Sequence, residues 1–335
     1  MSPRGSLEGY EFTFENFLDS SEITADSDQS TGPDLYDTCS LPESIATFKK
    51  QFGRTYHSLR AGSYVYPNDP SELDRLDDQY ELIKEMMDGQ LHLAPFTPEN
   101  PPTKILDIGT GTGLWAVEMG DEYPSAHIIG TDLSPIQPAM VPPNVRFFVE
   151  DSTEDWDYAP DFDYIHTRLT LGCWKDMSAQ ILRPAFAHLR PGGWLECQEI
   201  VVDPFCDDGT MPPDFAWRTW ADEMVRASDK IERQLRIGAE LKQWFEDAGF
   251  VDVREAVIKI PIGGWAKDVR LKHIGMLWRR LLVEGISGFT LGLFHHVLGR
   301  SPEDIEVSLV NTRKSLFDPH VHSYHKLYVV CGRRP

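Results

Sequence analysis

Lys104-Ile-Leu-Asp-Ile-Gly-Thr-Gly-Thr-Gly113 is the stretch on which the fold turns. Its first half, residues 105–108, is a short apolar run of β character, and its second half sets glycines at alternate positions 109, 111 and 113. Glycine turns the chain tightly and lets backbone approach a ligand with no Cβ in the way. Residues 113–120 behind it have a helical pattern, and a helix N-terminus presents free N–H groups. A strand, a glycine turn and a helix in that order open a nucleotide-binding α/β unit.

Outward from that turn, a second apolar run at 126–131 closes on Ile128-Ile-Gly-Thr-Asp132, nineteen residues after Gly113. An acid at that place can accept the ribose hydroxyls of an adenosine cofactor. The glycine spacing departs from the dinucleotide pattern G-x-G-x-x-G, because Leu114 stands where the third glycine would cradle a pyrophosphate. An adenosine cofactor without phosphates follows, and S-adenosylmethionine fits better than a nicotinamide or a flavin. Asp107, Gly109, Gly111, Gly113, Asp132 and Leu133 are the cofactor-binding candidates of this unit. Asp151 and Ser152, which follow a third strand at 145–149, join them: a carboxylate there can accept the adenine amine, or simply cap a turn.

Strand patterns at 164–166, 194–199, 251–260 and 326–332 alternate with helical ones at 176–189, 233–248 and 264–317. Short buried strands joined through helices indicate a mostly parallel sheet covered on both faces. Residues 71–88 carry an apolar stripe, Leu73, Leu76, Tyr80, Ile83 and Met87, with Ser71 as the expected N-cap. His166, in Phe162-Asp-Tyr-Ile-His-Thr-Arg168 at the end of the fourth strand, is the catalytic candidate, as base or substrate-orienting group. Its bland alternative is a hydrogen-bonded core histidine. Arg168 pairs either with a cofactor carboxylate or with a surface acid.

The chain of 335 residues has a formal charge of −21, of which residues 1–45 contribute −9. That balance argues against general binding of nucleic acid, which needs a basic face. The leader, rich in Ser, Thr and Asp, reads as a disordered or loosely docked tail. Five cysteines, an odd number with no C-x-x-C pair, point to a reducing compartment. The first residues lead into acidic sequence rather than an apolar core, and no run approaches the roughly 20 apolar residues that cross a bilayer, so neither signal peptide nor membrane contact is expected. The expected location is cytoplasmic, with the nucleus as the second possibility. His295-His296 and His320-x-His322-x-x-His325 lack an accompanying carboxylate and Cys scaffold, so no metal site is read from them. Trp265, Trp278 and Phe289 line either an apolar substrate pocket or an ordinary helical core.

Gly53-Arg-Thr-Tyr-His57, Tyr64-Val-Tyr-Pro-Asn-Asp69, Glu72-Leu-Asp-Arg-Leu-Asp77, the glycine turn, Asp132-Leu-Ser-Pro-Ile-Gln-Pro138, Arg190-Pro-Gly-Gly-Trp194, Ala248-Gly-Phe250 and the 324–335 segment occur in series. Together they resemble the fungal LaeA-like methyltransferase family, within the class I S-adenosylmethionine-dependent methyltransferases. The resemblance covers about residues 50–335. It implies a Rossmann-like α/β fold whose seven-stranded, mostly parallel sheet has an antiparallel last strand. One domain, 46–335, would then hold a helical lid at 54–90, a core at 103–200 and substrate-side insertions at 201–232 and 262–323. The segment with Tyr64, Tyr66 and Arg75 would close over the cofactor, or pack plainly onto the domain.

Two functions follow from the resemblance. One is transfer of a methyl group to O, N or S of a small molecule in fungal secondary metabolism. The other is a LaeA-type regulator of secondary-metabolite genes in a nuclear complex, with the acidic tail as an arm for a protein partner. A third, smaller option is a cofactor fold reused for non-methylating chemistry such as a pericyclization.

Overall fold

The computed structural model describes residues 47–57, 59 and 66–335; the tail at 1–45 and Tyr64 lie outside them. A small antiparallel hairpin comes first, β1 (Lys49–Gln51) and β2 (Arg54–Tyr56), turned by Phe52 and Gly53 at positive φ. The main sheet holds β3 (Lys104–Ile108), β4 (His127–Asp132), β5 (Val145–Val149), β6 (Phe162–Arg168), β7 (Leu189–Ile200), β8 (Val251–Pro261) and β9 (Tyr324–Arg333) in the order β5-β4-β3-β6-β7-β9-β8. β5, β4, β3, β6 and β7 are parallel, and β9 lies antiparallel between β7 and β8. β3 is buried along nearly its whole length, as a parallel strand covered on both faces must be. After β5 the chain returns across β3 to lay down β6, which puts a topological switch point at the carboxyl ends of β3 and β6.

The helices are α1 (Pro70–Met86), α2 (Leu114–Glu122), α3 (Arg183–His188) after a π-turn at Ser178–Leu182, α4 (Ala216–Asp229), α5 (Leu241–Asp247), α6 (Val269–Leu298) and α7 (Pro302–Ser315). Three differ from the sequence expectation. α1 starts one turn position earlier: Asp69, not Ser71, is the N-cap, accepting the Glu72 N–H, with Pro70 at the first helical position. The expected helix 233–248 begins late, because residues 233 and 234 are drawn into loop bonds. Arg233 donates to the Cys173 carbonyl, and Gln234 exchanges backbone bonds with Gly172 and Trp174. α4 was not foreseen, although Trp217, Trp220, Ala221, Met224 and Ala227 recur at helical spacing and are all buried.

The expected 264–317 stretch is two helices, parted by Gly299 in the left-handed region and the Ser301 cap of α7. α6 is long and apolar enough to cross a membrane, where the sequence reading saw no such run. In the fold its apolar side is buried in a cluster with α1, α4, α7 and the β8–β9 edge, around Ile83, Trp217, Trp278, Phe294 and Leu327. A second cluster, with Leu106, Phe162, Leu195 and Phe245, covers another part of the sheet.

Gly113 is the N-cap of α2 at φ +84°, and a Cβ there would lie 2.5 Å from the Phe147 ring. The same ring lies 2.7 Å from a Cβ built on Gly130 in β4. The glycine turn therefore sits directly on Phe147 of β5. Gly113→Ala is expected to lose about 2–4 kcal/mol of stability, from overpacking plus left-handed strain, in urea unfolding followed by circular dichroism. Phe147→Leu in the same chain should return the packing part and leave the backbone part of about 1–2 kcal/mol.

Candidate functional site

At the switch point the strand ends open into a cleft lined by Asp107, Gly109, Gly111, Asp132, Leu133, Asp151, Ser152, His166 and Arg168. Leu76, Gln79, Thr110, Trp115 and Glu150 are among its other walls. Among the expected residues, Gly113 alone of the glycines stays out of the lining, because Phe147 occupies the space its Cβ would take. Its left-handed φ and the Phe147 ring beside it make it a turn and packing residue.

The turn is laced to β4 through one carboxylate. Asp132 accepts the Gly111 N–H at 2.9 Å with Oδ2 and the Ser134 N–H at 2.9 Å with Oδ1. The Gln137 amide donates to the Gly111 carbonyl at 2.7 Å, and the Thr110 N–H reaches the Thr131 carbonyl at 2.9 Å. Burial pushes the Asp132 carboxyl up to about 6, against the pull of the Ser134 and Gly111 N–H donors. Each carboxylate oxygen still has a lone pair to offer a hydroxyl. Asp151 caps its own turn, accepting from the Thr153 N–H and hydroxyl at 3.0 and 2.6 Å, yet it remains on the cleft wall beside Ser152.

Asp107 and His166 are register partners on the neighbouring strands β3 and β6. The Asp107 carboxylate accepts the Thr110 hydroxyl at 2.6 Å and bonds His166 Nδ1 at 2.8 Å. Asp107 thus lines the cleft while also holding Thr110 and His166. Because a carboxylate only accepts, Nδ1 carries the proton and Nε2 keeps a lone pair. Nε2 finds no partner among the described residues. The ring stacks on Trp115 at 3.8 Å, and burial lowers its pKa against the opposing effect of Asp107. The imidazole is neutral.

Arg168 stands two residues along the same strand, on the same face. Its Nε donates to Gln198 Oε1 at 2.7 Å and its Nη2 lies 3.4 Å from the Leu91 carbonyl, while the guanidinium sits over the Tyr80 ring. Nη1 is buried with no partner, and Arg168 forms no ion pair among the described residues. A buried, unpaired guanidinium edge calls for an anion. The carboxylate of an amino-acid cofactor supplies one, so the residues present fit S-adenosylmethionine: Asp132 for the ribose, Asp151 or Glu150 for adenine, Arg168 for the carboxylate.

Tyr66 and Arg75, expected over the cofactor, line a neighbouring chamber rather than this cleft. Arg75 donates to Glu72 Oε1 at 3.1 and 2.6 Å and to Gln79 Oε1 at 2.6 Å. Leu76 and Gln79, on the adjoining turn of α1, border both spaces, so α1 is the wall between them. Trp278 and Phe289 line the chamber as expected of a pocket, whereas Trp265 donates to the Ser323 carbonyl and stacks on His322 elsewhere. Sequence reasoning missed Trp115, although its place just after the glycine turn carries the signal.

The family described as "Methyltransferase domain" matches residues 79–255. Methyltransferase pytC of Aspergillus terreus is 42% identical over 297 residues, 88% of this chain and 91% of its own. Secondary metabolism regulator LAE1 of Cochliobolus heterostrophus is 36% identical over 295 residues, 84% and 94% of the two chains. Protein-methionine methyltransferase laeA of Emericella nidulans is 32% identical over 292 residues, 86% and 77%.

The raised Asp132 carboxyl sets a pH test. Hydroxyl donors favour its ionised form, so affinity for S-adenosylhomocysteine should fall as pH drops through about 6 and level off above it. Asp132→Asn should bind about ten- to a hundredfold more weakly at pH 7.5 and lose that pH dependence, both read by calorimetry.

Proposed function

The chain belongs to the methyltransferase-domain family, in its LaeA-like fungal branch, and from that premise we propose that it methylates O, N or S of a small molecule in fungal secondary metabolism. The observation that carries the proposal is the strand end of β6. It presents a neutral His166 with a vacant Nε2 and, two residues on, the unpaired Nη1 of Arg168.

Bound S-adenosylmethionine supplies an electrophilic methyl carbon on a sulfonium. The chain's own residues then have to align the acceptor, take up its proton and keep water out. Arg168 would hold the amino-acid carboxylate of that cofactor and Asp132 its ribose. His166 Nε2 is the lone pair available to an O–H or N–H acceptor. Asp107 holds the ring by its Nδ1 proton and stabilises the imidazolium that forms, the orienting role a carboxylate plays behind any histidine base. Trp115 on one face and the α1 wall on another shield the histidine from solvent.

A second reading has its own support: two of the relatives above are named as a regulator and a protein-methionine methyltransferase. In that case the acidic segment 1–45 serves as the arm for a protein partner and the protein works in the nucleus; the metabolite enzyme works in the cytoplasm. Deleting the gene separates the two. Loss of one methylated product with transcripts unchanged supports the enzyme, and broad silencing of biosynthetic clusters supports the regulator.

The His166 role is tested by returning His166→Gln to the deletion strain. The methylated product should form about a hundredfold or more slowly. S-adenosylhomocysteine binding to the purified variant should stay within about threefold of the parent, since His166 is assigned to the acceptor rather than the cofactor. Unchanged product formation would remove His166 from the reaction.

A further inference from the structure

On the far side of α1 the cleft adjoins a second space of about 820 Å³, counting its mouth. Leu76, Gln79 and Leu169 border both. Its walls are apolar and aromatic. The only oppositely charged residues in its lining, Glu72 and Arg75, are buried and paired with each other at 2.6 Å. Such a space takes no ionic ligand, because no charge is left to pair with one.

One polar cluster breaks the apolar lining. His325, 1% exposed, is flanked by two buried indoles: Trp278 Nε1 lies 3.0 Å from its Nδ1, and Trp217 Nε1 lies 3.2 Å from its Nε2. An indole nitrogen only donates. A neutral imidazole has one lone pair and one N–H, and burial keeps His325 neutral by lowering its pKa to about 4. Two donors therefore face one acceptor. The ring nitrogen that carries the hydrogen has no lone pair for the indole beside it, so one of the two indole N–H groups faces a hydrogen rather than an acceptor. The third indole of the chamber, Trp220, has no such conflict, since it donates to Thr290 Oγ1 at 2.9 Å. A buried donor without an acceptor is costly, and a ligand oxygen in the chamber would relieve it.

We propose that this chamber is the acceptor subsite and that it takes an uncharged, ring-bearing apolar molecule whose carbonyl or ether oxygen accepts the surplus indole N–H of Trp217 or Trp278. The group to be methylated then lies at the Leu169–Gln79 end, beside the cleft. The assignment rests on the methyl-transfer reading and adds to it the substrate class and the residues that select it. A thioether, such as a methionine side chain, would satisfy the indole poorly, because its sulfur is a weak acceptor.

The test compares probes of one shape: 2-acetylnaphthalene, 2-ethylnaphthalene and 2-(methylthio)naphthalene, titrated into the full chain with S-adenosylhomocysteine present. The ketone should bind about tenfold more tightly than the hydrocarbon. At least one of Trp217→Phe and Trp278→Phe should bring that ratio close to one. Leu171→Trp, which fills the chamber, should weaken all three probes more than tenfold while S-adenosylhomocysteine affinity is unchanged. Equal binding of ketone and hydrocarbon to the parent chain overturns the proposal without any variant having to fold. Preference for the thioether, or probe binding indifferent to Leu171→Trp, overturns it as well. Failure to bind S-adenosylhomocysteine would instead strike the methyl-transfer reading, and the probe ratio would still be read separately.

Discussion

The bond between Asp107 and His166 joins two neighbouring parallel strands at the point where the sheet reverses its order. Much of the site is arranged around it. The same Asp107 carboxylate holds Thr110, which fixes the first residue of the glycine turn. Thr110 in turn bonds Thr131 at the end of β4, and Asp132 next to it reaches back to Gly111. Three strand ends and the turn are thus tied by one continuous set of short polar contacts in a buried setting, where each bond is stronger than it would be in water. That network offers a ligand the free His166 Nε2, and Arg168, held separately by Gln198 and Leu91, adds its Nη1 beside it.

The inner sheet was legible because a parallel strand covered on both faces must be apolar along its length, and the short apolar runs at 105–108 and 126–131 say so directly. Asp132 was legible because strand end and glycine turn are separated by one helix of fixed length. Asp107 was read for its place in the motif, and its partner could not be seen: His166 is 59 positions away, and only the register of β3 against β6 puts the two side by side. Tyr66 and Arg75 were placed over the cofactor on the family likeness. Which face of α1 meets the cleft depends on how α6 packs against it, and no local pattern reports that. α4 carries a clear helical stripe but sits in a segment read only as an insertion.

The charge takes on a different meaning with the site in view. The net −21 includes a −9 leader outside the described residues. In the cleft, Asp107, Asp132, Glu150 and Asp151 surround a single buried guanidinium edge from Arg168 and one peripheral cation, Arg233. A lining with more carboxylates than cations suits a ligand that is positive at one atom and carries an amino-acid carboxylate at another. It does not suit a polyphosphate, which would meet acids at every wall.

The division of labour follows the order of elements. The consecutive units from β3 to β6 make most of the cofactor cleft, and His166 at the end of β6 is what they turn toward the acceptor. The chamber is made by what comes before and after: α1 from the N-terminal side, α4 from the insertion after β7, α6 from the insertion after β8 and His325 from β9. The two spaces share Leu76 and Gln79 of α1 and Leu169 just after β6. A change in α4 or α6 can therefore alter what is accepted without disturbing how the cofactor is held. The buried Glu72–Arg75 pair in the wall makes the converse harder: removing Glu72 strands the Arg75 guanidinium without its carboxylate between the two halves, so that wall resists substitution more than the apolar residues around it.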